Sequence, residues 1–356
     1  MTSDSHLPDS LVHHSLVPYG WDQRVSTLYA AVPAGDHVPG RVVRVERGAC
    51  LVQCPAGTRL AIADPPPAVG DWVALRVLDD RDALVEAVLE RWSVLSRQDP
   101  ARETEQVLAA NLDLVLIVTP ADRLHLTRVE RELLVAWESG AVPVVVLTKA
   151  DLVDDPEAVR AEALQRLVGA DVILTSPRTG AGIDDVARVL QPNRSAALLG
   201  PSGAGKSSLA NALLGEDALA IGDVRDNDRR GRHTTTTRQL VPVPSGGVLI
   251  DTPGLRSLPL WRGDHGLAAA FRDVEELAEA CRFGDCQHDR EPGCAVKEAA
   301  ATGTLDRQRF SSYRKLQGEV AFAERAHDAR ARRAEEQRWK NITKAKRQGR
   351  GAGRPR

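Results

Sequence analysis

The sequence predicts a small β-barrel, then an α/β domain built on a mostly parallel sheet, then a mainly helical region with a metal site. Short β-rich segments punctuated by glycine and proline occupy residues 36–88, and from about residue 98 apolar strand patterns alternate with helical ones. Three cysteines and a histidine then cluster within residues 281–294. A chain of 356 residues has room for two or three domains, which agrees with this division.

We place the domain boundaries where the composition changes. The expected units are a flexible extension over residues 1–34, a barrel over 35–97, an α/β domain over 98–260, a metal-binding helical region over 261–324 and a basic tail over 325–356. The tail holds 12 lysines and arginines against 3 acidic residues, so its net charge is +9, whereas the rest of the chain carries −11. Such a tail favours a polyanionic partner, and a solvated tail without a partner is the alternative.

No targeting or membrane-spanning segment is predicted. Residues 1–34 lack the apolar stretch of a signal peptide, and the longest apolar runs, Leu114–Val118 and Val142–Leu147, are too short to cross a bilayer. Five cysteines, an odd number, favour a reducing compartment. We therefore expect a cytoplasmic monomer that binds no membrane.

The first unit carries β-rich segments at residues 42–45, 50–54, 71–77 and 84–88. Several short strands over such a length predict a small barrel of the OB type. OB barrels often bind single-stranded nucleic acid, but aromatic platforms are scarce because Trp72 stands nearly alone, so a purely structural barrel is the alternative. Cys50 and Cys54 share one strand face, and we interpret them as core residues.

The second unit alternates strands with helices. The segments Asp113–Val118, Val142–Leu147, Val172–Leu174 and Ala196–Leu199 read as buried strands. The segments between them carry helical patterns, the first with Val129, Leu133, Leu134 and Trp137 on its apolar face and the others over residues 156–168 and 184–190. This rhythm predicts a mostly parallel sheet with helices on both faces, which binds ligands at the carboxyl ends of its strands.

A phosphate-binding loop follows the last of these strands. Residues 200–207 fit the pattern G-x-x-x-x-G-K-[ST], and an apolar helix pattern follows them. Backbone N–H groups and the helix N-terminus would hold phosphates, with Lys206 on the β- and γ-phosphates and the Ser207 hydroxyl on Mg²⁺. The predicted phosphate-site residues are Gly200, Pro201, Ser202, Gly203, Ala204, Gly205, Lys206, Ser207 and Ser208. A glycine-rich turn without a ligand is the alternative.

Two further loops at strand ends suggest a guanine base. The first is Thr148, Lys149, Ala150 and Asp151, which resembles the N/T-K-x-D motif of GTPases. Asp151 would accept hydrogen bonds from guanine N1–H and the exocyclic amine, a pair that adenine lacks, and the Lys149 stem would lie over the base. A solvated loop is the alternative.

The second guanine loop follows strand Val172–Leu174 and contains Ser176, Pro177 and Arg178. It resembles the motif S-A-x-T-G, except that Pro177 replaces the alanine whose N–H donates to guanine O6. Proline has no N–H. The Arg178 N–H is the candidate substitute.

Two candidate switch segments come after the phosphate loop. Asp251 and Gly254 belong to a D-x-x-G motif, in which Asp251 would hold Mg²⁺ through water and the Gly254 N–H would contact the γ-phosphate. Between the loop and this motif lie four consecutive threonines, Thr234–Thr237, one of which would ligate Mg²⁺ when GTP is bound. We choose Thr235 among them, and an edge strand is the alternative.

The catalytic group is predicted from a missing residue. Ras-like GTPases carry a glutamine directly after D-x-x-G to orient the attacking water, and here that position is Leu255. His233 is our catalytic candidate, because a neutral imidazole can accept a proton or orient water near pH 7. The alternative is that His233 caps its loop or contacts RNA.

Four residues near the end of the chain predict a structural zinc site: Cys281, Cys286, His288 and Cys294. Three thiolates and one imidazole suit tetrahedral Zn²⁺ and leave no open position for chemistry. Unrelated buried cysteines are the alternative.

The order of the motifs is that of a circular permutation, since both guanine loops precede the phosphate loop and both switches follow it. Together the motifs resemble the ribosome small-subunit-dependent GTPase A family over about residues 36–320. The matching segments are Ala110–Asp113, Thr148–Asp151, Gly200–Ser208, Gly231–Thr235, Asp251–Gly254 and the cysteine/histidine spacing.

This resemblance implies an OB barrel, a permuted GTPase domain and a zinc domain. It also implies that the chain binds the immature small ribosomal subunit through rRNA, hydrolyses GTP to GDP and phosphate when that subunit stimulates it, and then dissociates. Two other readings of the residues stay open. They are a P-loop kinase or ATPase for a small molecule, and an RNA-binding protein with a passive nucleotide site. Whether K⁺ supports the site also stays open.

Overall fold

The N-terminal half begins with a closed five-stranded barrel, as the sequence predicts. The structure is a computed structural model that describes residues 15–46, 48–98, 105–215, 238–251 and 263–325. The barrel strands are β1 (Val38–Val45), β2 (Cys50–Cys54), β3 (Gly57–Ile62), β4 (Trp72–Val77) and β5 (Asp82–Val88). They pair in the order β1-β2-β3-β5-β4, and β4 closes the barrel on β1. Cys50 and Cys54 are fully buried in its core. Strand β3 had no separate signal in the sequence.

Residues 15–34 pack against this barrel, which corrects for these residues our expectation that 1–34 form a flexible extension; residues 1–14 lie outside the described part of the chain. Helix α1 (Gln23–Ala30) begins at Asp22, whose carboxylate accepts from the Val25 amide at 2.9 Å. The side chains of Leu16, Trp21 and Val25 are buried against Trp72 of the barrel. A capping aspartate followed by apolar residues at helical spacing is the sequence signal that our prediction missed.

A small hairpin links the barrel to the second domain. Strands β6 (Val94–Gln98) and β7 (Glu105–Ala110) pair only with each other among the described strands. The boundary that we expected between residues 97 and 98 therefore falls inside this hairpin. The sequence pattern did not reveal the hairpin because burial does not alternate along either strand.

The second domain has a sheet in the order β10-β9-β8-β11-β13-β12. All neighbouring strands are parallel except β12, which is antiparallel to β13. The strands are β8 (Leu114–Pro120), β9 (Val142–Thr148), β10 (Asp171–Leu174), β11 (Ser195–Leu199), β12 (Gln239–Pro242) and β13 (Val248–Asp251). The helices are α2 (Leu126–Glu138), α3 (Pro156–Arg166), α4 (Ile183–Leu190) and α5 (Lys206–Leu214). The predicted α/β architecture is confirmed.

The barrel and this sheet share main-chain hydrogen bonding. Strand β1 pairs antiparallel with β12, with Arg44 opposite Gln239, so one continuous sheet runs from β10 into the barrel. A buried guanidinium supports the same junction, since Arg41 Nη2 donates to Ser195 Oγ at 2.8 Å and to the Asn111 carbonyl at 3.3 Å. Burial lowers the pKa of Arg41 to about 10. The two units are therefore joined by buried polar contacts as well as by the chain.

Gly70 shows how closely the two units approach. Its φ is +90°, and a Cβ added there would lie 2.3 Å from the carbonyl oxygen of Ala110. No side chain fits that distance, so only glycine serves at this position. The Asn111 side chain then donates to the Gly70 carbonyl at 3.1 Å.

The C-terminal region is helical where the structure describes it. Its helices are α6 (Asp264–Ala270), α7 (Arg272–Ala278), α8 (Ala295–Thr302) and α9, which spans residues 307–325. Phe271, Tyr313 and Val320 join the core that lies under α2. None of the helices that the structure describes is both long and apolar enough to span a bilayer.

A buried charge network fastens this helical region to α2. Glu130 Oε1 of α2 accepts from Arg166 Nε at 3.0 Å and from Arg309 Nη1 at 3.1 Å. Arg309 also donates to both carboxylate oxygens of Asp273 and to the Ala270 carbonyl. The ring of Phe271 lies 4.3 Å from the same guanidinium. One glutamate on α2 thus serves two arginines from different parts of the chain.

Candidate functional site

The predicted phosphate loop lies at the carboxyl edge of the sheet, between β11 and α5. A Cβ at Gly200, where φ is +144°, would lie 2.1 Å from the Val118 carbonyl oxygen, so the loop runs against β8 without room for a side chain. The ammonium of Lys206 donates to the carbonyls of Gly200 at 2.7 Å and of Pro201 at 2.8 Å. The lysine therefore lies over the loop that would surround a phosphate.

The first predicted guanine loop contacts the predicted phosphate loop directly. Thr148 is fully buried, and its hydroxyl donates to the carbonyl of Ala204 in the phosphate loop. Lys149 follows with a φ of 57°, in the left-handed region, which turns the chain at the end of β9. The Ala150 amide then donates to the Thr175 carbonyl at 3.1 Å, which ties in the second guanine loop. The structure thus brings three predicted loops together at one edge.

Asp151 is the centre of the hydrogen bonding between the two guanine loops. Ser176 Oγ donates to its Oδ1, and Arg178 donates to its Oδ2 from Nε and Nη2. These contacts, first the serine hydrogen bond and then the arginine, lower the pKa of Asp151. The carboxylate is consequently charged at neutral pH, so both of its oxygens can act as acceptors, as the predicted contact with guanine requires.

Replacing Asp151 by asparagine should weaken binding of GDP, because one acceptor of the paired hydrogen bonds becomes a donor that faces an N–H group. A buried mismatch of this kind costs about 1–3 kcal/mol. Equilibrium titration with GDP measures the loss, and Asp184→Asn, at an exposed carboxylate of α4, is the matched control. An unchanged affinity in Asp151→Asn would contradict the assignment of guanine to this edge.

The backbone of the second guanine loop also offers a donor. Pro177 has no N–H, as the sequence shows. Within the part of the chain that the structure describes, the Arg178 amide has no acceptor, whereas the Ser176 and Thr179 amides each donate to a loop carbonyl. The Arg178 amide is therefore available to donate to a ligand, in place of the N–H group that Pro177 lacks.

Of the predicted switch residues, Asp251 alone lies within the described part of the chain. His233, Thr235 and Gly254 lie outside the described residues. Asp251 is the last residue of β13, where its backbone pairs with Gln239. Since β13 lies beside β11, with Ile250 next to Ala197, the carboxyl end of β13 adjoins the strand that leads into the phosphate loop.

One acidic residue near this edge was not anticipated. Glu132 of α2 is buried and accepts from Arg128 Nε at 3.1 Å, while its Oε2 has no hydrogen-bond partner among the described residues. Burial raises its pKa, and the hydrogen bond and charge of Arg128, with a contribution from the charge of Lys206, oppose the rise. Little in the sequence pointed to this residue, because Glu132 falls within a charged stretch that is typical of the solvated side of a helix.

The four predicted zinc ligands converge in space. Their ligand atoms all lie within 4.8 Å of one another. His288 Nδ1 lies 3.4 Å from Cys294 Sγ and 3.7 Å from Cys281 Sγ, and the two sulfur atoms of Cys281 and Cys294 are 3.9 Å apart. Thiolates around a tetrahedral zinc ion lie about 3.7 Å apart, given a Zn–S bond of about 2.3 Å. The donor set and its spacing fit Zn²⁺, and the ion would tie α7 to the start of α8.

We expect one zinc ion per chain and expect Cys286→Ala to lose it. The region around residues 281–294 should then unfold locally, because a structural site gains its folding free energy from the metal. GDP binding should persist, since the guanine and phosphate loops lie on other elements. Elemental analysis beside a GDP titration measures both effects. Cys50→Ala, in the barrel core, should keep its zinc, and full zinc content in Cys286→Ala would contradict the site.

Residues 88–261 match the family model described as RsgA GTPase. Among curated proteins, the chain is similar to the "Small ribosomal subunit biogenesis GTPase RsgA" of Streptomyces avermitilis, with 46% identity over 94% of each chain. It is also 41% identical to the protein of the same name from Opitutus terrae, over 94% of this chain and 97% of that one.

Solved structures show the same architecture. YjeQ from Thermotoga maritima matches with a TM-score of 0.61 and 26% identity, over 80% of this chain and 99% of that chain. YloQ, described as a circularly permuted GTPase, matches with a TM-score of 0.62 and 24% identity, over 81% and 96%. The second likeness bears on the fold alone.

Proposed function

This chain belongs to the RsgA family of GTPases, and from that premise we propose that it hydrolyses GTP in the biogenesis of the small ribosomal subunit. In this proposal, binding to the subunit stimulates hydrolysis of GTP to GDP and phosphate, and the protein then dissociates from the subunit. The protein contacts the rRNA of the subunit. It acts as a cytoplasmic monomer and binds no membrane.

The observation that carries this proposal is the meeting of three loops at one sheet edge. Thr148, at the start of the guanine motif, donates to Ala204 of the phosphate loop, so base and phosphates would be read by loops in direct contact. Ser176 and Arg178 complete the edge around Asp151. A phosphate loop alone would suit any nucleotide, whereas an acceptor carboxylate beside it suits guanine.

We propose the following roles for the site residues. Lys206 and the backbone N–H groups of residues 200–208 other than Pro201 hold the phosphates, Asp151 accepts from N1–H and the exocyclic amine of guanine, and the Arg178 amide donates to O6. Ser207, Thr235 and Asp251 would hold Mg²⁺, which when bound would neutralise phosphate charge. His233 orients or deprotonates the attacking water, and the Gly254 amide contacts the γ-phosphate.

We propose a domain division whose boundaries are taken from the helices and strands and no longer from changes in composition. Residues 15–88 form the barrel with its N-terminal helix, and the hairpin β6–β7 leads into the GTPase domain, which ends near residue 260. The zinc-binding helical region follows to residue 324, with Zn²⁺ in a purely structural role. The basic tail, residues 325–356, would meet rRNA phosphates through its charge of +9.

Turnover of GTP with and without purified small subunits tests the proposal. We expect slow phosphate release by the protein alone and a clear acceleration by subunits, with ATP as a poor substrate. Preferential hydrolysis of ATP would favour the small-molecule kinase or ATPase reading. Binding of subunits with no turnover in any condition would favour an RNA-binding protein with a passive nucleotide site.

A further inference from the structure

Hydrogen bonds from Ser176 and Arg178 hold the Asp151 carboxylate, which is the group that we assign to guanine binding. Arg178 donates two hydrogen bonds to one oxygen of this carboxylate, Oδ2, from Nε at 2.9 Å and from Nη2 at 2.7 Å. Ser176 Oγ donates to the other oxygen, Oδ1. A carboxylate oxygen offers about two lone-pair positions. The serine therefore leaves one position on Oδ1, whereas the arginine fills both positions on Oδ2.

A guanine base needs both oxygens of Asp151. One accepts from N1–H and the other from the exocyclic amine, so the base cannot take Oδ2 until Arg178 releases at least one hydrogen bond. We propose that Arg178 competes with guanine for Asp151, so that its side chain lowers the affinity of the site for guanine nucleotides and slows their binding. This inference rests on the proposed function, because it assumes that the site binds guanine.

The exposure of the pair sets the size of the effect. The side chain of Arg178 is 74% exposed and that of Asp151 is 13% exposed. Exposed ion pairs are weak, so the competition should change affinity by about two- to fivefold. Arg178 can also move into water without leaving a buried charge behind. The Arg178 side chain thus weakens guanine binding modestly and does not block the site.

The backbone of the same residue has the opposite role. Its amide is free of acceptors in the described structure, and we assign it to guanine O6. Truncating the side chain at Cβ removes the competitor and leaves this amide in place. Arg178→Ala therefore separates the two contributions of one residue.

The test compares GDP binding to the wild-type protein and to Arg178→Ala. We expect the variant to bind GDP about two- to fivefold more tightly and to associate faster. The matched control is Arg188→Ala, which removes an exposed arginine whose partner Asp185, 2.6 Å away, lies on the same helix outside the site. Its affinity for GDP should equal that of the wild type.

Two further measurements separate competition from a general loosening of the loop. An Asp151→Ala background should still bind GDP, more weakly, through the phosphate loop, and in it removal of the Arg178 side chain should have no effect, because the arginine has no carboxylate to contact. The gain in Arg178→Ala should also shrink as salt is raised toward 1 M, since the Debye length falls to about 3 Å. Loosening of the loop would follow neither pattern.

Equal or weaker GDP binding in Arg178→Ala would overturn the inference, and weaker binding would place the guanidinium on the base instead. A gain that persists without Asp151 would overturn it as well. Failure of the wild-type protein to bind GDP at all would remove the proposed function, and the two failures are therefore distinct.

Discussion

Replacing Glu130 by alanine should lower the free energy of unfolding by about 3 kcal/mol, because it leaves charged guanidinium groups in the interior with too few partners. Glu130 is fully buried, and the side chain of Arg309, one of its two arginine partners, is only 2% exposed. Removing one partner of a buried pair typically costs about 3–5 kcal/mol. The lower end applies because Arg309 keeps both hydrogen bonds to Asp273.

Urea unfolding of the wild-type protein and three variants measures this loss. The matched control is Glu157→Ala, which removes a glutamate from an ion pair whose side chains are 42% and 74% exposed and should cost less than about 1 kcal/mol. Glu130→Gln keeps one acceptor oxygen for the two arginines. Its free energy of unfolding should therefore lie between those of Glu130→Ala and Glu157→Ala. If Glu130→Ala loses no more stability than Glu157→Ala, the network does not hold the helical region to α2.

The second large effect is on catalysis. His233→Ala should lose about 100-fold or more of the subunit-stimulated GTP turnover, in line with the usual contribution of a general base. The chain has Leu255 where Ras-like enzymes place a water-orienting glutamine, so another polar group has to act on the water. Binding of GTP and of the subunit should persist, because we assign contacts with the base, the phosphates, Mg²⁺ and rRNA to residues other than His233.

The controls for His233 address its chemical role. His265→Ala removes an exposed histidine of α6 and should keep full turnover. His233→Gln keeps a neutral group that can orient water without accepting a proton, so partial activity would indicate orientation and complete loss would indicate proton transfer. Full stimulated turnover in His233→Ala would point to a catalytic group supplied by the ribosome.

Local motifs predicted most of the site, because each combines a short pattern with a strand end. The run from Ala196 to Lys206 specifies strand, loop and helix within about ten residues, and the structure has them in that order. Thr148 and Asp151 were predicted in the same way from an apolar strand and a tetrapeptide. Parallel pairing of β8 with β9 and β11 then brings the loops together without further information.

What the sequence did not reveal depends on partners far away in the chain. Glu130 and Arg309 are 179 residues apart, and nothing in either neighbourhood identifies the other. Arg178 was predicted for its backbone N–H, whereas its side chain contacts Asp151 from another loop. The helix after Asp22 had a local signal that we overlooked, but its packing against Trp72 of the barrel is a long-range contact that no local pattern reveals.

The pairing of β1 with β12 has a consequence for any fragment of this protein. In the whole chain β12 lies between β13 and the barrel, and Gln239 is paired with Asp251 on one side and with Arg44 on the other. A GTPase domain cut free of the barrel would expose β12 as an edge strand, and bare edges pair with other copies. Such a fragment should self-associate strand to strand, and the barrel is what keeps this edge from aggregating.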